Sequence, residues 1–381
     1  MRVLHVIPSL APCHGGPSVV LPIMERALAA QAVTIETITT DDDGPGKRNE
    51  KGDAKLRNEN GSMRRYFPKQ TEFYKVSLPM SVWLRRNVRS YDVVHVHAMF
   101  SYTSVAACRA ARAAGVPYII RPLGVLTRYG VTQRRAMLKR ICLRWVEGPL
   151  LRDAAAVHFT LPMEQTEAEE LGIPFSPIVV PLGLEPQALP PPSSGNPPSV
   201  LFLSRIDPKK NLEALLAAWA RCRAAFPAWH LVIAGSGQPA YEQSLRDLAA
   251  SLALGESVRW AGQVTGDAKL HILADADLFV LPSYSENFGI AAAEALLAGK
   301  ACLFTPGVAV GALAAEHGAA ALTEVDEESI AAALQDLLAD AERRRELGRR
   351  AKDFAEAELS AESMGRRLKA LYETILNPQP K

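Results

Sequence analysis

The stretch Pro282-Ser283-Tyr284-Ser285-Glu286-Asn287-Phe288-Gly289-Ile290-Ala291-Ala292-Ala293-Glu294 decides how this chain is read. Before it, Asp277–Leu281 is an apolar run too short for a helix, and it reads as a buried strand. After it, an alanine-rich run reads as a helix spanning Phe288–Ala298. Strand, polar turn and helix in that order form the repeating unit of a parallel α/β sheet. The free backbone N–H groups at such a helix start, with Gly289 permitting close approach, make an anion site. Glu294 has small apolar neighbours, and an acid buried in that company requires a polar partner. Eight helical residues rise about 12 Å, so Glu286 and Glu294 are spaced to grip the two ends of one extended ligand. The plainer alternative turns Glu294 to a solvent groove and leaves Glu286 as a helix cap.

Outward from this stretch the same alternation recurs. Strands are predicted at Ser199–Ser204, Trp229–Ala234, Ser257–Trp260 and Ala301–Phe304, with helices at Asn211–Ala225, Pro239–Leu252 and Thr265–Ala274. The segment Ser204-Arg205-Ile206-Asp207-Pro208-Lys209-Lys210-Asn211-Leu212 links the first strand of this series to a helix, with Asn211 as the expected N-cap. Arg205 and Lys210 at a strand end suit a diphosphate, whose charge they offset; the alternative is a solvated basic loop. Upstream, strands are expected at Arg2–Ile7, Val33–Thr39, Asp92–His97, Pro117–Arg121 and Ala154–Phe159, with 40–62 as a long mobile loop. Pro186, Pro190, Pro191, Pro192, Pro197 and Pro198 exclude helix and central strand from 186–198. The chain therefore divides into a first Rossmann-like domain at 1–185, a proline-rich linker at 186–198 and a second Rossmann-like domain at 199–355. A C-terminal helix in 356–381 is expected to pack back on the first domain. Two doubly wound α/β domains so joined face each other across a cleft, and ligands bind near strand carboxyl ends.

The 381 residues suit two domains, and 48% hydrophobic with 22% charged residues is a globular balance. The charge is uneven. Residues 1–190 carry 24 Lys and Arg against 17 Asp and Glu, net +7, and the remainder 19 against 24, net −5. The first half is thus expected to face something anionic. Nucleic acid is excluded as a partner, because the whole chain is near neutral and shows no basic-aromatic platform. Cys13, Cys108, Cys142, Cys222 and Cys302 are scattered, which favours free thiols and a reducing, cytoplasmic setting. The first residues read as a strand rather than a signal peptide, and no apolar run reaches a membrane span.

Three motifs are decoys. Asp275-Ala276-Asp277 spells a metal-binding D-x-D but lies at the start of a strand, as Asp41-Asp42-Asp43 lies in the loop. Gly235-Ser236-Gly237-Gln238-Pro239-Ala240 spells a dinucleotide fingerprint without the acidic residue for a ribose. Residues 132–152 combine Arg134, Arg135, Lys139, Arg140 and Arg144 with Met137, Leu138, Ile141 and Trp145. That is either a basic amphipathic helix lying on an anionic membrane surface or an ordinary solvated helix.

Glu286 to Glu294 resembles the E-x7-E motif of glycosyltransferase family four, the retaining enzymes of GT-B fold. Ser204–Leu212 resembles that family's S-R-x-x-x-x-K-N stretch, Val232–Gly237 its V-I-x-G-x-G, and Gly299-Lys300 with Thr305-Pro306-Gly307 the region that follows. Gly15-Gly16-Pro17-Ser18 resembles the glycine-rich loop after strand one, and Asp92–His97 the D-x-V-H-x-H strand. The resemblance implies a metal-independent hexosyltransferase without a cofactor, peripheral on the inner membrane face. It would move a sugar from a nucleoside-diphosphate donor to a glycan or lipid-linked acceptor, in surface polysaccharide or glycolipid synthesis. It implies that Arg205 and Lys210 bind the diphosphate, Glu294 the ribose and Glu286 the sugar hydroxyls. Asn287, Phe288 and Gly289 would line sugar and phosphate, Gly235 would join the donor site, and Gly16 would let the first domain's loop approach the phosphate. His97 is the candidate polar group near the reacting sugar, or else a structural histidine at a strand end; His95, two residues earlier on the same face, reads as packed. Where relatives carry P-H-G or P-R-G, this chain reads Arg121-Pro122-Leu123-Gly124, so Leu123 has no polar role and His97 or Arg121 substitutes. Other readings are a nucleotide-sugar epimerase of the same architecture and a non-catalytic partner.

Overall fold

In the computed structural model, residues 1–59, 61–127 and 136–377 are described. The chain divides into two compact units, Met1–Gly183 with Ala361–Lys381, and Leu184–Ser360.

The first unit is built on eight strands: β1 (Arg2–Val6), β2 (Thr34–Thr40), β3 (Arg57–Glu59), β4 (Ser62–Phe67), β5 (Val93–His97), β6 (Tyr118–Arg121), β7 (Ala156–Phe159) and β8 (Pro177–Val179). Their order is β3-β4-β2-β1-β5-β6-β7-β8, parallel throughout except for the antiparallel β3–β4 pair. The connecting helices are α1 (Gly16–Ala30), α2 (Leu78–Asn87), α3 (Tyr102–Ala114), α4 (Ala136–Cys142), α5 (Gly148–Asp153) and α6 (Pro162–Glu169). Ser101 caps α3 by accepting from the Ser104 N–H, and Gly115 ends it in the left-handed region. Leu4, Val6, Val94, Val96 and Val157 carry one apolar face of the sheet into the core.

The second unit has six parallel strands: β9 (Ser199–Leu203), β10 (His230–Ala234), β11 (Val258–Gly262), β12 (Leu278–Leu281), β13 (Ala301–Phe304) and β14 (Ala321–Leu322). Their order is β11-β10-β9-β12-β13-β14, the doubly wound arrangement whose direction of growth reverses between β9 and β12. Its helices are α7 (Leu212–Cys222), α8 (Pro239–Ser251), α9 (Gly266–Asp275), α10 (Ile290–Leu297), α11 (Ala309–Glu316), α12 (Glu327–Ala339) and α13 (Ala341–Glu358). The chain then rejoins the first unit through α14 (Ala361–Leu376), which lies close on α1: a Cβ on Gly365 would stand 2.6 Å from the Ala27 carbonyl oxygen.

Three expectations are corrected. The span 40–62 is no featureless loop, since it contains β3 and a buried charge cluster. Asp42 takes Lys69 Nζ at 2.6 Å, Lys75 Nζ at 2.5 Å and His14 Nε2 at 2.8 Å, and the Asp42 and Lys69 side chains are fully buried. Only residues distant in sequence neutralise those acids, so a local reading leaves them in solvent. The helix expected over 132–152 is interrupted: beyond residues 132–135, which lie outside the described part, α4 passes into a π-turn at Leu143–Glu147 before α5. Pro149 has no N–H to continue the regular ladder, and the Gly148 N–H reaches back to the Leu143 carbonyl instead. Strands β4, β8 and β14 were not expected; β4 reads Ser-Met-Arg-Arg-Tyr-Phe, too charged for a buried strand until its arginines meet Glu25 and Glu36.

Burial pushes the Asp42 carboxyl up, but hydrogen bonds from Lys69, Lys75 and His14 outweigh it and hold the group below the usual carboxylate range. Asp42→Asn should therefore cost about 3 kcal/mol of stability at pH 7, because Lys69 loses a buried partner. A carboxyl held low stabilises the fold fully above ~pH 4 and progressively less as pH falls further. In urea melts the gap between the two proteins should accordingly narrow in acid.

Candidate functional site

The loops that leave β9 and β12 meet at the point where the second sheet reverses its order. After β9 the chain bends through Arg205 to a short turn at Pro208–Lys210, capped by Asp207, whose side chain accepts from the Lys209 N–H. Lys210 is buried, and its Nζ donates to Glu286 on the loop after β12. The backbones are joined as well: the Tyr284 N–H donates to the Lys209 carbonyl at 2.9 Å and the Glu286 N–H to the Gly307 carbonyl at 2.8 Å. Arg205 is exposed and makes no hydrogen bond or ion pair with another described residue. The site thus holds one neutralised pair beside one open cation.

Helix α10 starts at Ile290, behind Gly289 at φ +90°. The expected start at Phe288 is corrected, and with it the 12 Å helical spacing. Glu286 lies in an extended bridge with Val308, four residues outside the helix, while Glu294 is inside it. A left-handed residue cannot be part of the helix, and only glycine adopts it without strain. Asn287 is exposed and Phe288 buried. Glu294 does have a polar partner: Lys269 of α9 donates from Nζ to its Oε1 at 2.6 Å. Sequence reading missed Lys269, since nothing local ties Thr265–Ala274 to the α10 carboxylate.

The glycine motifs support this loop pair from below. A Cβ on Gly235 would stand 1.8 Å from the Ser204 carbonyl oxygen, and one on Gly237 1.9 Å from that of Ile206. A Cβ on Gly307 would stand 2.3 Å from the Tyr284 carbonyl oxygen, and the Thr305 hydroxyl donates to the Ser283 carbonyl at 2.5 Å. Gly235 thereby has a packing role against the Arg205 segment. Asn211 does stand at the N-cap position of α7, but without the side-chain cap. It adopts the left-handed region at φ 58° and donates from Nδ2 to the Val325 carbonyl at 2.7 Å, instead of capping α7 with its side chain. The D-x-D letters are likewise accounted for: Asp275 accepts from Ser193 and Asn196, and Asp277 from the Ser199 N–H.

In the first unit Gly16 opens α1 behind Gly15, at φ +73°. His97 is 1% exposed and belongs to a buried row of imidazoles with His5 on β1, His95 on β5 and His158 on β7. His5, His95 and His97 bring their nitrogen atoms within 4.8 Å of one another. Burial lowers all four basicities, His5 to about 4 and His158 to about 3, with Arg121 adding to the effect, so the rings are neutral near pH 7. Arg121 is buried opposite His97 on β6, and burial lowers it to about 10. His97 Nδ1 and Arg121 Nε are buried without hydrogen-bond partners. His5 and His158 were missed, although Leu-His-Val, Val-His-Val-His and Val-His-Phe in three predicted strands carry the signal; Tyr372, also missed, has none.

With this geometry in place, the comparisons are specific. A family described as "Glycosyl transferases group 1" matches residues 189–354, and one described as "Glycosyl transferase 4-like domain" matches 15–183. The GDP-mannose:cellobiosyl-diphosphopolyprenol alpha-mannosyltransferase of Xanthomonas oryzae pv. oryzae is 26% identical over 87% of this chain and 86% of its own length. The phosphatidyl-myo-inositol mannosyltransferase of Mycolicibacterium smegmatis is 37% identical over 37% of this chain, which spans only 36% of that relative. Sucrose-phosphate synthase from Thermosynechococcus elongatus superposes with a TM-score of 0.74 at 19% identity, covering both chains fully. A glycosyltransferase from Rickettsia africae gives 0.76 at 16%, covering 99% of each. These structural likenesses establish the GT-B fold.

Gly235→Ala should lower stability by about 2 kcal/mol through overpacking against Ser204. Calorimetry should show the loss, and because Arg205 is carried on the displaced segment, ligand affinity at this site should fall too.

Proposed function

Because the chain belongs to glycosyltransferase family four, we propose that it moves a sugar from a nucleoside-diphosphate carrier to a hydroxyl of a glycan or lipid-linked acceptor. The observation that carries the reading is the Lys210–Glu286 pair at the reversal point of the second sheet, with the exposed Arg205 on the same loop as Lys210. As the sugar–phosphate bond loosens, charge grows on the departing phosphate, and stabilising that charge is the main catalytic task. Arg205 and Lys210 supply it, together with the backbone N–H groups at the start of α10, and this chemistry calls for no metal or cofactor. Once Lys210 turns to phosphate, Glu286 is released to orient hydroxyls of the transferred hexose. Glu294, held by Lys269, accepts from the ribose hydroxyls. The transfer is read as retaining by analogy with the family. Gly16 bares the start of α1 to an anion, and His97 offers an acceptor to a sugar hydroxyl.

The names of the two relatives specify lipid-borne acceptors, and one specifies GDP-mannose, so a lipid-linked acceptor in surface polysaccharide or glycolipid synthesis is our reading here as well. Among the described residues no helix is long and apolar enough to cross a membrane. Around α4 and the following turn, Met137, Leu138, Ile141 and Trp145 are exposed beside Lys139, Arg140 and Arg144. Apolar side chains amid cations suit peripheral docking on an anionic cytoplasmic leaflet.

A thermal-shift panel of UDP-, GDP- and ADP-sugars identifies the donor. With that donor, Glu294→Gln should weaken nucleotide binding about 10-fold in calorimetry, the loss of a charge-assisted hydrogen bond. Glu286→Ala should instead reduce kcat far more than nucleotide affinity; equal losses on both would remove its assignment to the sugar.

The chain should float with liposomes containing anionic phospholipid and remain at the bottom with neutral ones. Ile141→Glu with Trp145→Glu should abolish flotation while leaving the melting temperature unchanged.

A further inference from the structure

The buried histidines form a single file whose proton positions follow from one end. His158 Nε2 lies 2.9 Å from the Val180 carbonyl oxygen, which only accepts, so Nε2 bears the proton and Nδ1 is a lone pair. That lone pair faces His95 Nε2 at 3.3 Å, so His95 donates there and presents its own lone pair at Nδ1. The Tyr372 hydroxyl, 2.8 Å from His95 Nδ1, then donates to it. Its oxygen is left to accept from His5 Nε2 at 3.4 Å, and His5 Nδ1 accepts from His97 Nε2 at 3.3 Å. The file ends on His97 Nδ1, a buried acceptor with no partner. Every ring is neutral, as its burial requires, and every ring is the Nε2–H tautomer.

We infer that His158, Tyr372 and His5 are positioning residues that lock His97 in the Nε2–H tautomer and so present its Nδ1 lone pair as a hydrogen-bond acceptor for a ligand hydroxyl. The inference rests on the reading of His97 as a sugar-side group. A neutral imidazole offers a lone pair at one nitrogen only, and the tautomer decides which. In water the two forms interconvert freely; here a change at any link would set two lone pairs or two protons against each other. An unsatisfied buried acceptor is costly, and a donor that arrives there recovers the loss. Arg121, the register partner of His97, carries a buried Nε–H that also lacks a partner. A hydroxyl is the chemistry that suits this pair, since it donates to one atom and accepts from the other. The same facts argue against a cation among His5, His95 and His97: apart from His97 Nδ1, every nitrogen of the three is already engaged in the file, and the buried Arg121 guanidinium adds positive charge.

The test is long-range 1H–15N correlation on the full chain labelled with [15N]-histidine, with signals assigned by single His→Gln variants. At pH 7 the four buried histidines of the unsubstituted protein should each show the Nε2–H coupling pattern. An Nδ1–H tautomer or an imidazolium at any of the four overturns the file. Tyr372→Phe, which leaves His95 Nδ1 and His5 Nε2 without their shared hydroxyl, should move His97 to a mixture of tautomers. It should also lower kcat for turnover of the donor from the thermal-shift panel by roughly 10-fold, with KM changed much less, as for a second-layer orienting group. His97→Gln separates the two claims: unchanged kcat there overturns the role of His97 in transfer, whatever the spectrum shows. An unmoved His97 signal in Tyr372→Phe overturns the positioning role itself.

Discussion

Lys210 and Glu286 sit on loops that leave β9 and β12, and their ion pair ties those loops together where the second sheet changes direction. Much of the local backbone serves that contact. Gly235 and Gly237 let the next loop lie against Ser204 and Ile206, and Gly307 lets the β13 loop lie against Tyr284. A Lys210 that is buried requires a counter-charge, since a lone ammonium in that position would be heavily penalised. The pair therefore fixes the loops in the absence of ligand while keeping the site close to neutral. On the proposed reading a diphosphate exchanges one anion for another at Lys210, so the lysine never has to be stripped of its counter-charge. Arg205, exposed and unpaired, is the cation an approaching anion meets first. Glu294 and Lys269 repeat the logic at the other acid: a charge held in place by an opposite one on a neighbouring helix.

The parallel strands of both units were legible because their alternation with helices is local and strong. Arg2–Val6, Val93–His97, Ser199–Leu203 and Leu278–Leu281 are short apolar runs bounded by turn residues, and each is a central strand. The two loops of the candidate site were legible for the same reason, since each follows such a strand. What escaped was whatever depended on a distant partner. Met63–Phe67 looked too charged to be a strand because Glu25 and Glu36, which neutralise its arginines, are more than twenty residues away. Asp42 looked like a loop residue because Lys69 and Lys75 are equally remote. The start of α10 was placed two residues early because Phe288 has helical character by composition, whereas the left-handed Gly289 decides the boundary by conformation. Lys269 and Tyr372 have no local sign at all; each becomes significant only through a group on another element.

The histidine file shows why the end of the chain belongs to the first unit. Strand alternation puts His95, His97 and Arg121 on one face of the sheet, and register sets His5 beside His95. A face so polar cannot be covered by an apolar helix, because each imidazole would lose its hydrogen bonds. The covering helix must bring a group that accepts from one ring and donates to another, and among neutral side chains only a hydroxyl does both from a single atom. Gly365 lets α14 press against the Ala27 carbonyl, and two turns later Tyr372 delivers that hydroxyl while its ring fills the gap between helix and sheet. A phenylalanine would keep the packing and break the file. A serine would be too short to span it. The tyrosine is thus dictated by two requirements at once, the volume under the helix and the direction in which the protons must point.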